Sequence, residues 1–173
     1  MDKRTLLSRI KTLAYLEGDF TTRSGKKTSY YIDKYLFETQ PDVLAALAQH
    51  FLPLMPASCS LIAAPELGAV SIAAVLSTAI DTPFVIVRKE TKAYGTQRLL
   101  EGIYGQQESV VIVEDVLTTG GAALRSADIL RQAGLTVTHI IGVINREEGA
   151  FDNIREAGIE PLALFSASEL RQA

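Results

Sequence analysis

Two adjacent carboxylates, Glu114 and Asp115, follow an apolar run and precede the turn Thr118-Thr-Gly-Gly121. The threonine hydroxyls and the backbone N–H groups of such a turn can surround a phosphate. A helix that begins at the turn adds the partial positive charge of its N-terminus. Carboxylates beside a phosphate repel it unless they bind sugar hydroxyls or a metal ion. The segment therefore predicts a sugar-phosphate site, with the phosphate on the turn and the ribose diol on the acids.

The same segment also fits a structural interpretation, in which it is an ordinary strand-to-helix turn capped by threonine, with two solvated acids. It is not a Walker motif, which needs Gly-Lys-Ser/Thr, and not the dinucleotide fingerprint G-x-G-x-x-G.

A second segment, residues 88–109, separates two apolar runs and shows no apolar periodicity. A connection of this length in a compact domain usually has a function. Its first part concentrates positive charge, because one acidic residue, Glu90, stands against four basic ones: Arg88, Lys89, Lys92 and Arg98. The segment starts at the carboxyl end of a predicted strand, where open α/β sheets bind ligands. We therefore expect an anionic ligand there.

The composition limits the remaining classes of protein. The chain has 173 residues, 47% of them hydrophobic, and a net charge of −3, which fits one globular domain and argues against nucleic-acid binding through overall positive charge. One cysteine, Cys59, and two histidines exclude an intrachain disulfide framework and a Cys/His zinc cluster. The sequence carries no apolar segment of membrane-spanning length and no signal-peptide pattern. We expect a soluble cytoplasmic protein without a membrane partner.

Helical and strand patterns alternate along the chain, after a predicted first helix over residues 2–16 and two short strands around Ser24-Gly-Lys26. Non-alternating apolar runs predict strands that are buried on both faces, and their alternation with helices predicts a mainly parallel α/β sheet. The predicted helices cover residues 41–52, about 69–79 and 121–133, and the predicted strands cover 60–64, 84–87, 110–113 and 137–144.

The segment from Val110 to Ala123 closely resembles the phosphoribosyl pyrophosphate (PRPP) motif of type I phosphoribosyltransferases: a hydrophobic strand, two acids, two variable residues and Thr-Gly-Gly. Residues 87–96 resemble the catalytic loop of orotate phosphoribosyltransferases, Arg-Lys-x-x-Lys-x-His-Gly, except that Tyr94 replaces the usual histidine. Residues 20–33 are similar to the N-terminal segment of that family, and residues 142–149 are similar to the strand end that carries its orotate-binding arginine. Ala64-Pro-Glu-Leu-Gly68 falls at the family's pyrophosphate loop, with Leu67 where some members carry lysine.

The resemblance implies a single domain over residues 1–173, with a small hood over about 1–40 and a type I phosphoribosyltransferase core over about 41–173. It implies transfer of the phosphoribosyl group from PRPP to orotate, with Mg²⁺ as cofactor, held mainly by PRPP near Glu114 and Asp115 and without direct protein ligands. The implied catalytic residues are Arg88, Lys89, Lys92 and Asp115. The implied PRPP contacts are Arg23, Arg88, Lys89, Lys92, Glu114, Asp115, Val116, Leu117, Thr118, Thr119, Gly120, Gly121 and Ala122. The implied orotate contacts are Tyr31, Ile32, Thr118 and Arg146.

The resemblance further implies a homodimer in which the catalytic loop completes the partner's site. Two alternatives remain: the same fold acting on a purine or another base, and a PRPP-sensing regulator without catalysis. Arg146 and the lysine-rich loop argue against a neutral base, which needs no carboxylate clamp. Residues 1–17 are too short for a helix-turn-helix, which argues against a DNA-binding regulator.

Overall fold

The chain begins with a helix, a hairpin and two more helices, in a computed structural model that describes residues 1–21, 25, 27–90 and 98–173. These elements are α1 (Lys3–Ala14), β1 (Tyr15–Thr21), β2 (Lys27–Ile32), α2 (Tyr35–Glu38) and α3 (Pro41–Phe51), which a 3₁₀ turn (Leu52–Leu54) extends. The carboxylate of Asp2 caps α1 by accepting the Thr5 N–H at 3.0 Å. The antiparallel β1–β2 hairpin forms a two-stranded sheet of its own.

A six-stranded sheet forms the centre of the remaining chain. Its elements are β3 (Leu61–Pro65), α4 (Ala69–Ile80), β4 (Phe84–Val87), β5 (Leu100–Glu101), β6 (Ser109–Leu117), α5 (Gly121–Gln132), β7 (Thr136–Asn145), α6 (Ala150–Glu156), β8 (Glu160–Ser166) and α7 (Ala167–Gln172). The strands lie in the order β5-β4-β3-β6-β7-β8, and all neighbours are parallel except β4 and β5. The predicted mainly parallel α/β sheet is thus confirmed.

Apolar side chains bury both faces of this sheet. One face packs with α1, α3 and α4 in a cluster that includes Ile10, Ile72 and Val113, and the other packs with α5 and α6 in a cluster that includes Ile112, Leu130 and Ile154. Burial on both faces explains why β3 and β6 read as continuous apolar runs in the sequence. In the described part of the chain, no helix combines the length and the apolarity that crossing a bilayer requires.

The chain reverses its direction of sheet growth between β3 and β6. From β3 it adds β4 on one side, and later it adds β6, β7 and β8 on the other. The loops after β3 and β6 therefore leave the sheet side by side, at the kind of switch point where open α/β folds bind ligands.

Candidate active site

The acid pair lies at the carboxyl end of β6 and is buried. Glu114 is 7% exposed and Asp115 is 3% exposed. The interpretation of these residues as two solvated acids is therefore wrong. Successive side chains of a strand point to opposite faces of the sheet, so the two carboxylates have different neighbours.

Glu114 lines a cavity of about 140 Å³, whose remaining wall is the turn Val116–Ala123. That volume equals several water molecules at about 30 Å³ each. Gly120 has a φ of +80°, and a Cβ there would lie 3.2 Å from Ile154 Cγ1, so the turn needs glycine at this position. Asn153 donates from Nδ2 to the Thr119 carbonyl oxygen at 2.9 Å and holds the turn against α6. Since α5 begins at Gly121, the cavity lies at a helix N-terminus and suits an anion.

Asp115 faces a different set of side chains, which belong to α2 and the residue before it. Lys34 Nζ lies 2.5 Å from Asp115 Oδ2, and Glu38 is buried nearby with its Oε1 lacking a hydrogen-bond partner among the described residues. A Cβ on Gly68 would lie 1.9 Å from Asp115 Oδ2 and 2.9 Å from both Glu38 carboxylate oxygens. The backbone after β3 therefore packs directly on these carboxylates, and only glycine leaves room for the contact.

The protonation of this cluster is set by burial and by crowding of like charges. Burial, and then the negative charge of Asp115, raises the pKa of Glu38 to about 8. The same two causes, in the same order, raise the pKa of Glu114 to about 8. For Lys34, burial acts to lower the pKa, but the attraction of Asp115 outweighs it and the pKa lies above its usual value. Lys34 is therefore charged in the pH range in which both glutamates hold protons.

Glu66, in the loop after β3, fixes the start of the basic segment. Its Oε1 accepts the Lys89 N–H at 2.8 Å, and its Oε2 lies 3.7 Å from Arg88 NH1. Its own N–H donates to the Val87 carbonyl oxygen at 2.9 Å. Arg88 and Lys89 thus lie beside the loop that contacts Asp115. Lys92 and Tyr94 lie outside the described residues, as does Arg23.

Arg146 follows β7 and is held by an aromatic ring and a carboxylate. Its guanidinium carbon lies 5.1 Å from the centre of the Tyr30 ring, and its NH2 pairs with Glu148 Oε1 at 3.0 Å. The side chain is 11% exposed, and its N–H donates to the Leu117 carbonyl oxygen at 2.8 Å. Arg146 thus forms a largely buried ion pair with a glutamate. Its backbone hydrogen bond connects it to the end of β6.

Tyr31 and Ile32 lie at the end of the hairpin with their side chains in different environments. The Tyr31 side chain is about half exposed, and its ring centre lies 5.6 Å from that of Phe20. Ile32 is buried in the apolar cluster of α1, α3 and α4. Tyr30, rather than Tyr31, is the tyrosine in contact with Arg146.

Several residues at the site lie outside the set selected from the sequence: Tyr30, Lys34, Glu38 and Glu148. Glu66 and Gly68 belong to the segment that falls at the family's pyrophosphate loop. The ion pair between Lys34 and Asp115 joins positions 81 residues apart, so local patterning gives no signal for it. Among the described residues, no group of three or more His, Cys, Asp or Glu side chains could hold a metal ion. Buried carboxylate oxygens do suit Mg²⁺, so the donor set fits a metal that keeps most of its ligands from a bound substrate.

The chain is similar to known proteins over most of its length. The family model of the phosphoribosyl transferase domain matches residues 37–156. Orotate phosphoribosyltransferase of Methanocella arvoryzae is 44% identical over 153 residues, 88% of this chain and 87% of that protein. Orotate phosphoribosyltransferase of Pyrococcus horikoshii is 42% identical over 159 residues, 90% of this chain and 86% of that protein. The crystal structure of Mycobacterium tuberculosis orotate phosphoribosyltransferase with Fe(III) dicitrate superposes with a TM-score of 0.87 at 27% identity, covering 98% of this chain and 99% of that one.

Proposed function

The chain belongs to the phosphoribosyl transferase family and, within it, to the orotate phosphoribosyltransferases, and from this premise we propose how its residues perform the reaction. The enzyme transfers the 5-phosphoribosyl group from PRPP to orotate and releases orotidine 5′-monophosphate and pyrophosphate, a step of de novo pyrimidine (UMP) biosynthesis. The observation that carries the proposal is the buried acid pair beside a glycine-rich cavity at the N-terminus of α5.

The 5′-phosphate binds in the cavity formed by the turn 116–123. The N–H groups at the start of α5 and the hydroxyls of Thr118 and Thr119 donate to its oxygens. Glu114 lines the same cavity and Asp115 lies on the other face of the strand, so the two acids flank the bound sugar. Both acids bind the ribose hydroxyls, Glu114 as a protonated group near neutral pH. The Asp115 carboxylate stabilises the positive charge that develops on the ring in an oxocarbenium-like transition state.

The leaving pyrophosphate gains negative charge as its bond to the ribose breaks, so cations must meet it. Arg88 and Lys89 place two cationic side chains at the start of the catalytic loop, which supports these two residues as ligands of the pyrophosphate. Glu66 fixes this start of the loop through Arg88 and the Lys89 backbone. Lys92 and Arg23 join this set through the resemblance of their segments to the family. Mg²⁺, when bound through PRPP oxygens, neutralises charge on the pyrophosphate.

Orotate binds between the end of β7 and the hairpin. Arg146 has the planar fork of donors that matches the orotate carboxylate, and Tyr30 fixes its orientation. The exposed Tyr31 ring and the Thr118 hydroxyl complete the base site, and Ile32 supports it from the core side. The carboxylate selectivity of this site favours orotate over a purine or another neutral base.

The active form is a homodimer with shared sites in the cytoplasm. Four large apolar side chains on β1, α2 and the loop after β3 are 39–66% exposed: Leu16, Tyr35, Leu36 and Leu67. Exposed apolar side chains in this number support an interface with a second protein surface. Tyr35 and Leu36 directly follow Lys34, and Leu67 directly precedes Gly68, which supports a partner that reaches the active site.

The direct test mixes the purified chain with Mg²⁺ and PRPP and follows the absorbance of orotate. Orotate should be consumed, and adenine, hypoxanthine and uracil should remain unchanged under the same conditions. Turnover of one of those bases in place of orotate would move the chain to another base specificity. Binding of PRPP without turnover of any base would favour the PRPP-sensing regulator.

A further inference from the structure

Lys34 fixes the orientation of a carboxylate that the proposed mechanism uses. Its Nζ lies 2.5 Å from Asp115 Oδ2, while Asp115 Oδ1 accepts the Val116 N–H at 2.5 Å. Both carboxylate oxygens therefore have a donor. The Asp115 side chain is 4% exposed and the Lys34 side chain is 32% exposed, so the lysine covers the acid from the solvent side.

The surroundings of this pair are crowded and acidic. Glu38 and Asp115 meet here, and the Gly68 backbone packs on both. Glu114 lies on the other face of the strand, close enough for the charge of Asp115 to act on it. In the described part of the chain, Lys34 is the one basic residue that forms an ion pair with this cluster. Leu67, the residue before Gly68 in the loop after β3, is uncharged.

An unpaired carboxylate in this position has two consequences. Removing one partner of a buried ion pair leaves a desolvated charge, which is costly and drives the remaining side chain to reorient. Negative charge without an offset would also repel PRPP, whose phosphates make it a polyanion. Lys34 pairs with the carboxylate and offsets its negative charge. It does so without entering the phosphate cavity, which other residues line.

We propose that Lys34 is a positioning residue for PRPP binding, which holds the Asp115 carboxylate toward the ribose hydroxyls and offsets the negative charge of the cluster. The inference rests on the proposed function, since it needs Asp115 to contact the ribose. It assigns a residue of the hood to the recognition of PRPP rather than of the base.

The experiment measures PRPP affinity by calorimetry and the KM values of both substrates for Lys34→Met and Lys34→Arg. Lys34→Met should weaken PRPP binding by about tenfold or more and leave the KM for orotate within about twofold. Lys34→Arg keeps the charge and should retain most of the affinity. The matched control is Lys3→Met, because Lys3 also lies over an aromatic ring, at 5.4 Å against 5.5 Å for Lys34. Its ring is that of Phe165 on β8, and among the described residues it forms no ion pair with the acids.

A double-mutant cycle with Asp115→Asn tests whether Lys34 acts through Asp115. In that background Lys34→Met should cost little further PRPP affinity. The double variant should also fold if Lys34→Met alone does not, because no charge is left unpaired. An equal loss in both backgrounds, or unchanged PRPP affinity in Lys34→Met, would overturn the inference. Wild-type chain that binds no PRPP would instead overturn the proposed function, so the two failures are distinguishable.

Discussion

At the scale of single residues, the site combines one ion pair with two glutamates that keep their protons near neutral pH. Burial and the charge of Asp115 raise the pKa values of Glu38 and Glu114 to about 8. A protonated carboxyl group both donates and accepts hydrogen bonds, so Glu114 can donate to an oxygen of a ligand in the phosphate cavity. Asp115, the third acid of the cluster, forms the ion pair with Lys34.

These raised pKa values make the stability of the protein depend on pH. Below the ordinary glutamate value of 4.5, Glu38 is protonated in both the folded and the unfolded chain and contributes no pH dependence. Between 4.5 and about 8 the folded chain holds the proton that the unfolded chain releases, so the free energy of unfolding falls as the pH rises. Above about 8 the full cost of the buried charge is present.

Glu38→Gln should therefore become more stable relative to wild type as the pH increases. The amide cannot ionise, so the contribution of Glu38 to the pH dependence of the free energy of unfolding disappears. One pKa unit corresponds to about 1.4 kcal/mol, which makes a gain of up to a few kcal/mol the expected scale. Urea unfolding at about pH 6 and about pH 9 measures the difference. Glu156→Gln, at an exposed glutamate on α6, is the control. If the free energy of unfolding changed equally with pH in wild type and in both variants, Glu38 would not have the raised pKa.

At the scale of elements, the loop after β3 and the short helix α2 are fitted together through the carboxylates. A methyl group on Gly68 would overlap Asp115 Oδ2 and press on Glu38. Gly68→Ala should lower the free energy of unfolding by about 1–3 kcal/mol, as overpacking typically does, and weaken PRPP binding because Asp115 must move. Thermal unfolding and PRPP calorimetry on the same samples give both values.

Gly105→Ala is the matched control for this substitution. A Cβ there would meet Glu108 Cδ at 3.6 Å, an ordinary contact, and it would meet neither Glu38 nor Asp115. We expect nearly wild-type stability and PRPP affinity. A Gly68→Ala variant as stable and as active as Gly105→Ala would show that the contact between the loop and the carboxylates is not tight.

The sequence predicts the helices with clear periodicity and the strands with continuous apolar runs, and it misses most of the short elements. β4 and the first half of β6 are runs of β-branched and aromatic residues, and they form as predicted. β5 has two residues and α2 has four, too few for any pattern to emerge. The sequence pattern does not predict the elements after residue 149. The helices α6 and α7 have seven and six residues, and Glu160 and Pro161 leave only four apolar residues in a row in β8.

The site also contains residues that the sequence predicts and residues that it does not. The acid pair and the glycine turn lie together along the chain, so the sequence alone predicts their chemistry, and the structure adds their burial. Lys34, Glu38 and Glu66 act through contacts between distant segments, which a single sequence does not encode locally. Their recognition required the three-dimensional arrangement.

At the scale of the whole molecule, strand order determines where the anionic substrate binds. The switch point between β3 and β6 brings the loop with Glu66 and Gly68 beside the acid pair. The net charge of −3 conceals an uneven distribution, because Arg88, Lys89, Lys92 and Arg98 are concentrated in one segment. Within an acidic chain, this segment concentrates positive charge, which the proposed mechanism assigns to the leaving pyrophosphate.

The proposed dimer with shared sites makes a quantitative prediction for mixed variants. Lys92→Ala and Asp115→Asn should each be nearly inactive alone. If the loop of one subunit completes the site of the other, a hybrid dimer has one site with both residues intact and one with neither. Random exchange makes about half of the dimers hybrid, and one of their two sites works, so the mixture should recover about a quarter of wild-type activity.

A loop that acts within its own subunit gives a different result, because each subunit of the hybrid then carries one defect and no site is intact. Mixing Lys92→Ala with Lys89→Ala is the matched control. Both defects lie on the same loop, so every site of that hybrid contains one of them and no activity should return. Size-exclusion chromatography with light scattering confirms that subunits have exchanged into dimers before the assay. Failure of the first mixture under those conditions would reject shared sites while leaving the reaction itself intact.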